Sequence, residues 1–135
     1  MPQSTPPAPE GGLSSRPRVL LADDYPDMVK AVSRLLSLDC DVVGSVADGI
    51  ALLEAAQRLA PDVIVLDLHL PKLNGLAACR QITRQHPETK VIMFTALDDP
   101  AASQEFFAAG ASAYVSKLSS AELLSTIKRL CAEQA

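Results

Sequence analysis

Short apolar runs alternate with longer stretches of helical periodicity from Arg18 to the C-terminus. The runs are Val19–Leu21, Val42–Val43, Val63–Leu66, Val91–Phe94 and Ala113–Val115. Each run is nearly unbroken and rich in branched side chains, which is typical of strands that are covered on both faces. Between the runs, apolar residues recur every three or four positions, as on one face of a helix. The pattern predicts five strands that alternate with five helices.

Signals for helix starts support this division. Pro26 suits the first turn of a helix, and Asp48–Gly49 and Asn74–Gly75 mark the starts of the second and third helices. Ser119, followed three residues later by Glu122, forms a capping box that predicts the start of the last helix. Strands and helices that alternate in this way form a parallel sheet with right-handed crossovers. The predicted fold class is α/β: a (βα)5 doubly wound, five-stranded parallel sheet in the flavodoxin-like order 2-1-3-4-5.

The first seventeen residues differ from the rest in composition. They contain five of the ten prolines and a single large aliphatic residue, Leu13. Such a segment buries too little apolar surface to offset the entropy lost on ordering. We therefore predict a disordered, proline-rich leader over residues 1–17 and one ordered domain over residues 18–135.

The charge and the cysteines narrow the class of protein. The 135 residues include 12 Lys and Arg against 16 Asp and Glu, a net charge of −4, which disfavours direct binding of nucleic acid by this domain. No apolar run approaches the ~20 residues that cross a bilayer, and the N-terminus lacks the pattern of a secretory signal. Three scattered cysteines form neither a disulfide framework nor a zinc motif. We expect a cytoplasmic protein that does not contact the membrane.

Polar residues with a common chemistry follow four of the five predicted strands. Asp23 and Asp24 follow the first run, Asp67 the third, Thr95 the fourth and Lys117 comes shortly after the fifth. Ligands bind at the carboxyl ends of the strands in open α/β sheets. In the predicted order these four strands are neighbours, about 4.8 Å apart. Three carboxylates, a hydroxyl and an ammonium group are therefore expected to meet at one edge of the sheet.

Carboxylates this close repel one another unless a cation neutralises them. Two unit charges 4 Å apart cost about 4 kcal/mol at an effective dielectric constant near 20. Lys117 supplies one positive charge, and Mg²⁺ suits the remaining carboxylate and carbonyl oxygens. Loops between strands and helices also carry Asp as a turn former or cap, which accounts for Asp48. That alternative does not account for a lysine at the same edge.

The ordered set of these residues resembles the receiver domain of two-component response regulators, including receivers joined to LuxR-type helix-turn-helix domains. The resemblance covers the chain from about Arg18 to its end. It rests on the segments Leu21–Asp24, Asp67–Gly75, Thr95–Ala96 and Gly110–Lys117. A phosphorylation-dependent switch in a two-component phosphorelay is the function that this resemblance implies.

The resemblance also implies a role for each residue of the set. Asp67 is the implied phosphoacceptor, and Thr95 and Lys117 would hold the phosphoryl oxygens. The implied Mg²⁺ ligands are Asp24, Asp67 and the backbone carbonyl of His69, with Asp23 acting through a water molecule. Tyr114 would be the aromatic residue whose rotamer follows the phosphorylated state, together with Thr95. Self-phosphorylation and self-dephosphorylation on Asp67, dependent on Mg²⁺, are expected rather than turnover of a separate substrate.

One departure from the family pattern affects Lys117. The family usually has proline after this lysine, joined by a cis bond, whereas this chain has Leu118. A cis peptide before a residue other than proline costs about 3 kcal/mol. The bond is therefore either trans or a source of strain, and the reach of Lys117 depends on which.

The implied partners are a histidine kinase or a phosphotransfer protein, and a second copy of the chain on phosphorylation. The 118 residues of the domain leave no room for an effector, so we expect either a single-domain regulator or a DNA-binding output domain beyond residue 135. Two alternatives remain at this point. One is a receiver-like interaction module that is never phosphorylated. The other is a phosphatase of the haloacid dehalogenase type, which needs a carboxylate where this chain has His69.

Overall fold

A computed structural model describes residues 16–96 and 100–133. The predicted leader lies outside these residues up to position 15, so its disorder stays a prediction. Arg16 and Pro17 are described and are attached to the domain. The Arg16 guanidinium donates to the backbone carbonyls of Ser37 (2.7 Å) and Cys40 (2.9 Å), and the Pro17 carbonyl accepts from the Asp41 amide (2.9 Å).

Five strands and five helices alternate along the described residues, as the apolar pattern predicts. The strands are β1 (Arg18–Ala22), β2 (Asp41–Val46), β3 (Val63–Leu66), β4 (Lys90–Thr95) and β5 (Ala113–Ser116). The helices are α1 (Pro26–Leu36), α2 (Gly49–Leu59), α3 (Gly75–Gln85), α4 (Pro100–Ala108) and α5 (Ala121–Glu133). A short 3-10 helix, Lys117–Ser119, joins β5 to α5. None of the described helices has both the length and the apolar character that a membrane crossing requires.

All five strands are parallel and lie in the order β2-β1-β3-β4-β5. The predicted doubly wound order 2-1-3-4-5 is confirmed. Alternate residues of each strand enter two separate cores, because successive side chains point to opposite faces of a sheet. Leu20 and Ile64 lie in the core under α2, α3 and α4, whereas Val19 and Val65 lie in the core under α1 and α5. Burial on both faces explains why the apolar runs are unbroken.

The predicted starts of α1, α2 and α3 are confirmed. Pro26 is the first residue of α1, and the side chains of Asp48 and Asn74 cap the next two helices by accepting backbone amides at 2.7 Å and 2.9 Å. The predicted start of the last helix, a capping box at Ser119, is wrong. Ser119 ends the 3-10 helix, and α5 begins two residues later at Ala121. The tight turn directly after β5 uses the residues that would otherwise open α5.

Candidate functional site

The register of the central strands places Asp23 beside Asp67. Ala22, the last residue of β1, is paired with Leu66, the last residue of β3, and the Asp67 amide donates to the Ala22 carbonyl (2.9 Å). Each of the two strands is therefore followed by an aspartate, and the two aspartates lie side by side at the C-terminal edge of the sheet. Both residues are buried, each with 8% of its surface exposed.

Asp24 completes a cluster of three carboxylates. One oxygen from each of Asp23, Asp24 and Asp67 can be chosen so that all three lie within 4.8 Å of one another. Asp24 is exposed whereas the other two are buried, so the cluster opens to solvent on the Asp24 side. Oxygen ligands of this kind and spacing could bind a metal ion, and hard divalent cations such as Mg²⁺ prefer them.

Lys117 reaches into the same cluster from the far end of β5. Its amino nitrogen lies 2.7 Å from Oδ2 of Asp23 and 3.5 Å from Oδ2 of Asp67, and its side chain is only 13% exposed. No cis peptide bond occurs among the described residues, so the bond from Lys117 to Leu118 is trans. The absence of proline at position 118 therefore does not prevent the lysine from reaching the carboxylates.

Thr95 lies on β4, the strand next to β3, and Tyr114 lies on β5, the strand next to β4. Thr95 is the last residue of β4, is 2% exposed and is paired with Ser116, while Tyr114 is paired with Met93. By the alternation of side chains along a strand, Thr95 and Tyr114 point to the same face of the sheet. Tyr114 is half-buried and packs against the core under α2, α3 and α4.

Two backbone amides contribute to the site and were not predicted from the sequence. The Tyr25 amide donates to Oδ1 of Asp23 (3.0 Å), and the His69 amide donates to the carboxylate of Asp67. Both donors lie two residues after their acceptor, as in an Asx turn. An aspartate shortly before a predicted helix start was the available signal for the first of them. His69 itself is exposed in the loop after β3.

Burial is the main influence on the ionisation of Asp67. It raises the pKa of this carboxyl group, and the negative charge of Asp23 raises the pKa further. Lys117 and the His69 amide act in the opposite direction, but the pKa stays above its ordinary value. An apolar recess that includes Met28 and Phe94 borders both buried aspartates, which explains the loss of hydration. A cation near Asp67 would stabilise the ionised form of its carboxyl group.

Two glycines at helix starts fix the loop that follows Asp67. A Cβ atom on Gly75 would lie 2.6 Å from the Asp67 carbonyl oxygen, and one on Gly49 would lie 2.0 Å from the Leu73 carbonyl oxygen. The Gly75 amide donates to the Leu68 carbonyl (3.0 Å). The N-termini of α2 and α3 therefore contact the backbone of this loop directly. The loop that carries Asp67 and His69 is held from both sides.

Comparison with known proteins gives a family match over most of the chain. A family model described as the response regulator receiver domain matches residues 19–128. The response regulator GacA of Pseudomonas viridiflava is 34% identical over 121 residues, which are 87% of this chain and 56% of GacA. The chain spans about half the length of the first curated relatives that it matches.

Solved structures agree in fold. A LuxR-family two-component response regulator from Aurantimonas sp. SI85-9A1 superposes with a TM-score of 0.84 at 32% identity, covering 88% of this chain and 87% of that one. The receiver domain of the putative response regulator NarL from Mycobacterium tuberculosis gives a TM-score of 0.82 at 31% identity, covering 89% and 98%. Both similarities support the doubly wound fold described above.

Proposed function

The chain belongs to the response regulator receiver domain family, and we propose that Asp67 accepts a phosphoryl group from a histidine kinase or a phosphotransfer protein. A receiver domain of a two-component system is the class that the family match supports, and a phosphatase of the haloacid dehalogenase type is not favoured. The observation that carries the proposal is the contact of Lys117 and the neighbouring carboxylates with Asp67.

The residues around Asp67 match the needs of phosphoryl transfer to a carboxylate. Its carboxylate oxygen would attack phosphorus, the bond to the donor histidine nitrogen would break, and that nitrogen would leave with the electron pair. Phosphoryl transfer depends mostly on positioning and on neutralising charge. Lys117, 3.5 Å from Asp67, would hold a phosphoryl oxygen, and the hydroxyl of Thr95 on the adjacent strand would hold another.

Mg²⁺ is the proposed metal, because the available ligands are carboxylate oxygens at an edge that is open to water. Asp24 and Asp67 would bind it directly with the His69 carbonyl, and Asp23 through a water molecule. The ion would supply positive charge that lowers the repulsion between the carboxylates and the incoming phosphoryl group. Asp23 would also keep Lys117 in place through their 2.7 Å contact.

The response to phosphorylation is proposed to pass from Thr95 to Tyr114. The acyl phosphate adds between −1.5 and −2 charges, roughly, and new acceptor oxygens. Thr95 would turn toward these oxygens, and Tyr114 on the same face of the neighbouring strand would turn into the space that Thr95 leaves. The surface formed by β5 and α4 would change as a result, and a second copy of the chain is the proposed reader of that change.

Output through DNA is proposed for the protein as a whole rather than for this domain. Similarity to a LuxR-family regulator and to the transcriptional regulatory protein DegU of Brevibacillus brevis supports a DNA-binding partner domain. The cytoplasm is the proposed compartment, in keeping with three free cysteines, of which Cys40 and Cys79 are buried.

Intact-mass spectrometry after incubation with acetyl phosphate and Mg²⁺ tests this function. The chain should gain one phosphoryl group, Asp67→Asn should gain none, and hydroxylamine should remove the group because acyl phosphates react with it. Asp48→Asn is a matched control, since Asp48 caps α2 and Asn caps equally well. A hydroxylamine-sensitive phosphoryl group on Asp67→Asn would overturn the assignment. No phosphoryl group on the unaltered chain would favour the interaction module that is never phosphorylated.

A further inference from the structure

The hydroxyl group of Ser116 caps the 3-10 helix that begins with Lys117. Ser116 is the last residue of β5, and its Oγ accepts a hydrogen bond from the backbone amide of Leu118 at 3.1 Å. Ser116 itself is extended, with φ −75° and ψ 142°, as expected of a residue that caps a helix N-terminus. The hydrogen bond therefore spans Lys117 and fixes the direction of the chain on both sides of it.

The position of the Lys117 amino group depends on this turn. The amino group lies 2.7 Å from Asp23 and 3.5 Å from Asp67, and the backbone conformation of residue 117 sets the direction from which the side chain approaches both carboxylates. Packing of the next residue does not hold the turn, because Leu118 is 90% exposed. On the other side, pairing with Thr95 fixes Ser116 in the sheet. The cap therefore connects the paired end of β5 to the turn that carries Lys117.

We propose that Ser116 is a positioning residue for Lys117. Its hydroxyl group holds the trans peptide of Lys117 and Leu118 in the turn that directs the amino group toward Asp67. This inference rests on the proposed function, because it concerns the phosphoryl group that Lys117 would bind.

Substitution of the cap should weaken the binding of a phosphoryl analogue. In Ser116→Ala the Leu118 amide loses its hydrogen-bond acceptor. The segment around Lys117 should then populate other conformations besides the observed turn. Loss of a helix N-cap corresponds to about a fivefold change in a conformational equilibrium. The dissociation constant for beryllofluoride, measured by NMR titration with saturating Mg²⁺, should therefore rise about fivefold. Ser116→Thr, which keeps a hydroxyl group, should restore the original value.

A double-mutant cycle with Lys117→Met separates positioning from a general structural effect. If Ser116 acts through Lys117, Ser116→Ala should leave beryllofluoride affinity unchanged in a chain that already carries Lys117→Met. Ser119→Ala is the matched control within the same turn, and it should leave affinity unchanged in both backgrounds. Thermal unfolding of every variant establishes that the proteins compared are folded.

Two results would contradict the inference. One is an equal loss of affinity on Ser116→Ala with and without Lys117, which would mean that the serine acts on the fold in general. The other is no loss at all in the original background. Failure of the unaltered chain to bind beryllofluoride with Mg²⁺ is a different result, because it would contradict the proposed function itself.

Discussion

Opposing electrostatic effects meet at Asp67. Burial and the charge of Asp23 disfavour its ionised form, while Lys117 and the His69 amide favour it. Lys117 is nearer to Asp23, at 2.7 Å, than to Asp67, at 3.5 Å. The carboxylate that the proposed chemistry uses is therefore the less well compensated of the two buried ones, which favours binding of a cation beside it.

Replacement of Asp67 by asparagine should stabilise the metal-free domain. Asn has nearly the same shape, removes a buried negative charge, and leaves Lys117 paired with Asp23. We expect an increase of a few degrees in the melting temperature near pH 7, since about 1 kcal/mol corresponds to roughly 4 °C in a domain of this size. Thermal unfolding followed by circular dichroism in buffer with EDTA measures the difference.

The same comparison has a defined pH dependence. Because the pKa of Asp67 is raised in the folded state, the folded protein binds more protons than the unfolded chain between the two pKa values. Ionised Asp67 therefore lowers the free energy of unfolding at any pH above its pKa in the folded state. This destabilisation disappears as the pH falls below the pKa of the same group in the unfolded chain. The advantage of Asp67→Asn should shrink on acidification. Asp48→Asn, whose carboxyl pKa is lowered by the Ala51 amide, should give no stabilisation at any pH.

At the scale of the elements, contact between the N-terminus of α2 and the loop after β3 shapes the site. The Gly49 amide donates to the Pro71 carbonyl (3.1 Å), and Lys72 pairs with Asp48 at 3.7 Å. Lys72 also has a positive φ of 69°, a conformation that costs free energy in residues other than glycine. These contacts hold the loop that carries His69 in one conformation against α2.

Gly49→Ala should destabilise the domain by about 1–3 kcal/mol, the range for a side chain forced into a packed site. The new Cβ would lie 2.0 Å from the Leu73 carbonyl oxygen, so backbone atoms must move. Gly44→Ala is the control, because its Cβ would meet only the ends of the Leu59 and Leu20 side chains, at 3.2 Å and 3.5 Å. Urea denaturation compares the two, and equal stability would contradict the close packing described for α2.

The sequence was sufficient to predict the strands and helices but not all of the turns that connect them. Residues that directly follow an apolar run, such as Asp67, could be assigned to one edge of the sheet, because the C-terminal ends of parallel strands lie at the same edge. The turn at Lys117 could not be foreseen, since the signal for a capping box at Ser119 does not exclude a 3-10 helix before it. The Tyr25 and His69 amides also escaped prediction, because a hydrogen bond from the backbone depends on loop conformation and not on residue type.

At the scale of the whole molecule, the sheet separates two cores and brings the charged groups to one edge. α1 and α5 cover one face, and α2, α3 and α4 cover the other. The acidic cluster lies where β1 and β3 end, between these layers. A cation bound there would contact groups on two strands and would stabilise the folded state against unfolding.

Mg²⁺ should therefore raise the melting temperature of the domain. Binding at one hundred times the dissociation constant corresponds to about 2.7 kcal/mol. Asp24→Asn should reduce the increase, since it removes one of the three clustered carboxylates and, being exposed, should affect packing little. Differential scanning fluorimetry across a Mg²⁺ titration measures the effect. Equal responses of both proteins would exclude Asp24 as a ligand.

Locating the phosphoryl group on the chain is the most direct test of whether Asp67 is the phosphoacceptor. After incubation with acetyl phosphate and Mg²⁺, borohydride reduces an aspartyl phosphate to homoserine, and peptide mass spectrometry locates the reduced residue. We expect homoserine at position 67 and at no other aspartate. Homoserine at position 23 or 24, or a phosphoryl group retained on His69, would contradict it.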